Sequence, residues 1–209
     1  MTQEEIVSGL KGGVIMAISS APFAVLFGAI AVDNGLSIWE AVLMSAVVYA
    51  GASQLVGIEL FGTHVAPWLV VLSVFAVNFR HILYSAAITR LIGHFTPLQK
   101  LATFFLLTDP QFADTLRRAE SGKPITFAWY LSFGLMIYVP WVAATLVGAW
   151  FGSQLGDVRV WAIDVLLPIY FMGLVLSFRQ RRGFYPVVLA SAAASIAAYH
   201  LIGSPWHVS

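Results

Sequence analysis

The chain has 209 residues, 59% of them hydrophobic and only 10% charged, a balance that excludes an ordinary soluble domain. A net charge of +1 offers neither a nucleic-acid footprint nor a polybasic lipid-binding surface. The absence of cysteine excludes disulfides, thiolate metal sites and iron–sulfur clusters.

The apolar runs suit helices of about 20 residues and lack the alternation of an outer-membrane barrel, so the fold class expected is an all-α integral membrane protein. Residues 1–12 carry Glu4 and Glu5 ahead of a single Lys11 and lack the basic region of a cleavable signal, so the first run is expected to be retained. Spans are predicted over residues 13–32, 38–60 and 67–88, then 126–150, 161–178 and 184–202. These make about six transmembrane helices in one domain: a first half (13–88), a central connector (89–125) and a second half (126–202).

Within the connector, residues 98–107 are apolar over half the length of a crossing and end at Thr108-Asp109-Pro110, which reads as a re-entrant or interfacial segment. If that stretch crossed, the chain would have seven spans. With six, Arg90, Lys100, Arg117, Arg118 and Lys123 share one side with Arg179, Arg181 and Arg182, the cytoplasmic side by the positive-inside rule, and both termini are expected to face outward.

The pattern also admits a 3+3 inverted repeat. Pro67, His81 and Ser85 match Pro186, His200 and Ser204 at a spacing of 119; Leu26, Gly28 and Ala29 match Leu146, Gly148 and Ala149 at 120; Trp39 and Gly51 match Trp161 and Gly173 at 122.

The candidate pathway residues are the polar groups stranded in these runs. Pro22, after Ser19-Ser20, is expected to break or kink the first helix and free backbone carbonyls; Pro140 and Pro168 raise the same expectation. Tyr49, Ser53 and Gln54 lie in the run Tyr49-Ala50-Gly51-Ala52-Ser53-Gln54, where the small residues permit close helix contact and the amide must find partners, as a ligand site or as glue between helices. Asn78, Arg80 and His81 lie within the third span. A charge at that depth is a functional-site hypothesis, although a purely structural ion pair also fits. At 100° per residue, Asn78, His81 and Ser85 form one stripe and Ser73, Arg80 and Tyr84 another, too far apart for a straight helix to aim both at one cavity. Asp109 reads either as the tip of a re-entrant element or as a solvated turn. Arg80 and Asp109 together would suit the two ends of a zwitterion. No phosphate loop, metal-ligand cluster or nucleophile–base set is visible, so neither an enzyme nor a cofactor is expected.

Pro22-Phe23 with Phe27-Gly28, the Tyr49–Gln54 run, Asn78-Phe79-Arg80-His81 with Leu83-Tyr84-Ser85, and Thr108-Asp109 with Phe112-Ala113 follow in an order that resembles the large subunit of the AzlC/YgaZ branched-chain amino acid exporters. One departure is Pro110, where many relatives carry an acidic residue after the aspartate. The resemblance implies export of branched-chain amino acids across the bacterial inner membrane and a small hydrophobic partner subunit of the AzlD/YgaH type. A secondary exporter driven by the proton motive force, with His81 or Asp109 carrying the proton, is the function expected. A passive channel or a non-transporting scaffold are the alternatives.

Overall fold

The computed structural model describes residues 2–61, 66–155 and 183–201, together with Met172, Leu176 and Arg179. The elements there are helices: α1 (Thr2–Asp33), α2 (Ile38–Val48), α3 (Gly51–Phe61), α4 (Pro67–Thr89), α5 (Pro97–Phe105), α6 (Asp109–Glu120), α7 (Phe127–Leu155) and α8 (Phe184–Leu201). Four are long and apolar enough to cross a membrane: Gln3–Asp33, Pro67–Thr89, Phe127–Gln154 and Phe184–Leu201. Of the span expected at 161–178, Pro168 included, all but Met172 and Leu176 lies outside the described residues.

The axis of the molecule is the pairing of α1 with α7. The backbones meet at small residues: a Cβ placed on Gly28 would lie 2.2 Å from the Thr145 carbonyl oxygen, and one on Gly148 would lie 1.9 Å from that of Val25. Gly9 sits against Ser132, Gly13 against Met136 and Gly152 against Ala29, so both helices advance in the same direction. In lipid, where apolar burial drives little association, such backbone contact supplies dispersion energy that larger side chains would forbid. The parallel pairing also corrects the expectation that the matches at 120 residues relate inverted halves. The corresponding helices run the same way, which requires an odd number of crossings between them.

That number is odd because residues 38–60 do not form one span. They fold as two helices of 11 residues joined at Tyr49, whose backbone is left-handed at φ 41°. Ser37 opens α2 with a reciprocal capping box to Glu40. The chain then descends beside α7 until the Tyr138 hydroxyl meets the Ala46 carbonyl. From Gly51 it turns back: Gln54 returns to Ser45, Gly57 to Met44, and Leu55 and Ile58 rejoin Phe27, Ala31, Ala41 and Ala149 in one apolar cluster. The pair α2–α3 thus enters and leaves at the same face.

The pair α5–α6 does the same from the other face. Thr96 and Gln99 form a second capping box, 59 residues after the first (37 to 96, 40 to 99). α5 climbs beside α7 until Phe105 reaches the ring of Tyr138, and α6 returns, with Gln111 bonded to the Tyr130 carbonyl and Arg118 stacked 4.6 Å over Trp129. The re-entrant reading of 98–107 matches this geometry. The order of a long helix followed by a re-entrant pair therefore occurs twice, α1 with α2–α3 and α4 with α5–α6, in opposite directions.

Glu5 accepts from Arg118 at 2.5 Å and from Thr126 at 2.8 Å, so the start of α1 lies on the same face as the basic connector. The expectation of an outward N-terminus is thereby corrected: with α2–α3 re-entrant, only α1 and α4 cross before the connector. Pro22 and Pro140 fall inside continuous helices, so the helix break lies at Tyr49 and not at either proline. The two serines before Pro22 bond back to carbonyls three residues earlier, and Pro22 itself is exposed.

Candidate functional site

The tips of the two re-entrant pairs meet halfway along α7. Between them lies a cavity of about 100 Å³, room for several water molecules, lined by Tyr49, Ala50, Gly51, Ala52 and Leu55 from one tip and Thr108, Asp109 and Pro110 from the other. α1 adds Ser20 and Phe23, α4 adds Arg80 and His81, and α7 adds Ile137 and Trp141. Both tips are helix N-termini: α3 begins at Gly51 and α6 at Asp109, so unpaired backbone donors and positive dipole ends converge on this space.

Arg80 lies 3.2 Å from Asp109, and the Tyr84 hydroxyl donates to the other carboxylate oxygen at 2.8 Å. Tyr84 is in turn stacked on Phe112, with ring centroids 4.1 Å apart, which fixes the hydroxyl over the first turn of α6. The carboxylate at the N-terminus of α6 also complements that helix's dipole. The sequence placed Arg80 and His81 on stripes that could not share a cavity, yet both line this one. Neighbouring positions differ by only 100°, and the long arginine side chain reaches across the difference. His81 Nδ1 is 3.3 Å from the Asn78 carbonyl, and its ring packs edge-on to Tyr84.

Four of the eight residues singled out in the sequence, Tyr49, Arg80, His81 and Asp109, line the cavity. The other four do not. Ser53 donates to the Ala50 carbonyl at 2.8 Å. Gln54 is fully buried: it accepts from Ala50 N–H at 3.3 Å and donates to Ser45 at 3.0 Å, while Ser45 shares a 2.8 Å bond with Thr145. Its amide therefore ties the tip of α2–α3 to α7. Asn78 has a buried oxygen without a partner but lies off the lining, and Pro22 is exposed.

Trp141 is the lining residue that gave no signal in the sequence, since a tryptophan in a long apolar helix is ordinary core material. Its indole fills the space a side chain at Gly51 would need, 2.7 Å from that position. Its Nε1 is buried without an acceptor, as are Arg80 Nε and the hydroxyls of Tyr49 and Thr108. The last two are near neighbours yet do not reach hydrogen-bond geometry with each other. Buried polar atoms without partners are few in native proteins, and four gathered on the lining of one cavity mark a place where a polar ligand or water completes the set. No group of histidine and carboxylate residues suited to a metal ion occurs among the described residues.

Residues 16–155 match the family described as AzlC protein. The chain is 31% identical over 191 residues to the inner membrane protein YgaZ of Escherichia coli (strain K12), covering 89% of this chain and 78% of that protein. It is 30% identical over 194 residues to an uncharacterized membrane protein of Archaeoglobus fulgidus, covering 93% of this chain and 84% of that one. No solved structure matches. The matched segment runs from the middle of α1 to the end of α7 and so takes in both re-entrant tips and every residue of the cavity: the chain is a membrane protein of the AzlC family.

Proposed function

We propose that this chain is the large subunit of a secondary exporter of branched-chain amino acids in the inner membrane, working with a small hydrophobic subunit of the AzlD/YgaH type. The observation that carries the reading is the Arg80–Asp109 pair at a cavity where two re-entrant tips meet. A zwitterion entering there exchanges one internal ion pair for two external ones at constant net charge. A ligand with a single charge leaves one partner unpaired at low dielectric, which is costly. Phe23, Leu55 and Ile137 give the same cavity an apolar wall for a branched side chain.

The two oppositely directed units, α1–α3 and α4–α6, supply the moving parts: rocking one against the other opens the cavity to one face and then to the other. Inward flow of protons drives the cycle, with Asp109 or His81 as carrier. The basic face holding Arg90, Lys100, Arg117, Arg118 and Lys123 is cytoplasmic.

The test is uphill movement. Cells loaded with leucine and expressing the chain with its partner export leucine against a gradient and lose that capacity when a protonophore is added. Export that only equilibrates leucine, with or without protonophore, points to a passive channel, and export indifferent to the chain's presence contradicts the reading.

A further inference from the structure

The four partnerless groups on the cavity lining, the Thr108 hydroxyl among them, can all donate. Arg80 Nε and Trp141 Nε1 are donors only, Tyr49 offers a hydroxyl, and the first turn of α3 at Gly51 and Ala52 contributes backbone N–H groups without intrahelical acceptors. Tyr49 is 5% exposed and Trp141 9%, so neither finds an acceptor in bulk water. The one carboxylate of the lining, Asp109, is already engaged by Arg80 and Tyr84. The donors left over suit a compact, negatively charged hydrogen-bond acceptor.

We propose that these donors are a carboxylate subsite. The ligand's α-carboxylate takes the Trp141 indole N–H, the Tyr49 hydroxyl and the α3 N-terminus, with Arg80 beside it, while its ammonium takes Asp109. This rests on the exporter reading and deepens it: Trp141 and Tyr49 become determinants of selectivity for amino acids over the corresponding amino alcohols. The left-handed backbone at Tyr49 fits this role, because that turn brings the start of α3 and the tyrosine ring to the same cavity. The ring is held in place edge-on by Tyr138, at 4.9 Å between centroids.

The test compares leucine with leucinol, in which a hydroxymethyl group replaces the carboxylate, as stabilisers of the detergent-solubilised full chain in complex with the proposed small subunit, in thermal unfolding over a concentration series. Trp141→Phe keeps a ring against Gly51 and removes the N–H, and Tyr49→Phe removes only the hydroxyl. The wild type is expected to bind leucine at least tenfold more tightly than leucinol, and each variant to lose about tenfold for leucine and less than threefold for leucinol. Equal losses for both ligands, no loss for either, or a wild type that does not distinguish them would overturn the carboxylate subsite while leaving the exporter reading intact. A wild type that leucine does not stabilise at any concentration would overturn both.

Discussion

Arg80 of α4 and Asp109 of α6 come within 3.2 Å of each other, and the Tyr84 hydroxyl completes the carboxylate's shell. The pair joins the second long helix to the tip of the second re-entrant element, so it is at once a structural clasp and the charge at the centre of the cavity. Removing one member leaves the other unpaired. Arg80→Gln or Asp109→Asn should each destabilise the protein by about 2 kcal/mol, less than for a fully buried pair because Asp109's side chain keeps 41% of its surface open. The double variant should recover part of that loss. Unfolding midpoints of the three proteins in detergent check this; a double variant less stable than either single one contradicts it.

The α1–α7 seam predicts a sharp contrast among glycines. Gly148→Ala puts a methyl group 1.9 Å from the Val25 carbonyl oxygen, where only backbone can yield, and should cost about 3 kcal/mol or more. Gly93→Ala meets nothing nearer than 3.8 Å and should change stability by less than about 0.5 kcal/mol. Yields and unfolding midpoints of the two variants, measured side by side, report the difference.

Re-entrance of α2–α3 has a consequence for labelling. The chain has no cysteine, so single cysteines can be placed freely. Gly35, before α2, and Ala66, after α3, should both react with an impermeant thiol reagent from the same face of the membrane, and Ser121 should react from the opposite face. Labelling of Gly35→Cys and Ala66→Cys from opposite faces would restore a single span over residues 38–60.

That contrast marks where the sequence was legible. Residues 98–107 are half the length of a crossing and stop at Asp109-Pro110, so length pointed to a re-entrant or interfacial segment, and the contacts of α5 and α6 with α7 select the re-entrant one. Residues 38–60 have the length and apolarity of a true span. Their turn depends on a tyrosine in a left-handed conformation that no local residue demands and that tertiary contacts with Tyr138 and Phe105 hold in place. The charges at Arg80 and Asp109 were conspicuous because lipid penalises them, and both belong to the cavity. Gln54 was equally conspicuous, but its bonds run to Ser45 and Ala50. Trp141 was invisible because its chemistry here lies in one unpaired N–H on an otherwise apolar ring.

Gln54 accordingly separates stability from transport. Gln54→Leu strands the Ala50 N–H and breaks the chain of bonds through Ser45 to Thr145, at an expected cost of about 2 kcal/mol. At a temperature where the variant remains folded, its KM for leucine export should stay within about threefold of the wild type. A large rise in KM with an unchanged unfolding midpoint would move Gln54 into the binding site.

The most direct measurement is leucine efflux from preloaded cells expressing this chain together with the proposed small subunit of the AzlD/YgaH type, comparing the wild type with Arg80→Gln and Asp109→Asn at matched membrane abundance. Efflux is expected to fall at least tenfold in each variant while the protein remains in the membrane. Efflux at the wild-type rate in both variants would contradict this, because the ion pair between α4 and the tip of the second re-entrant element would then have no part in moving the substrate.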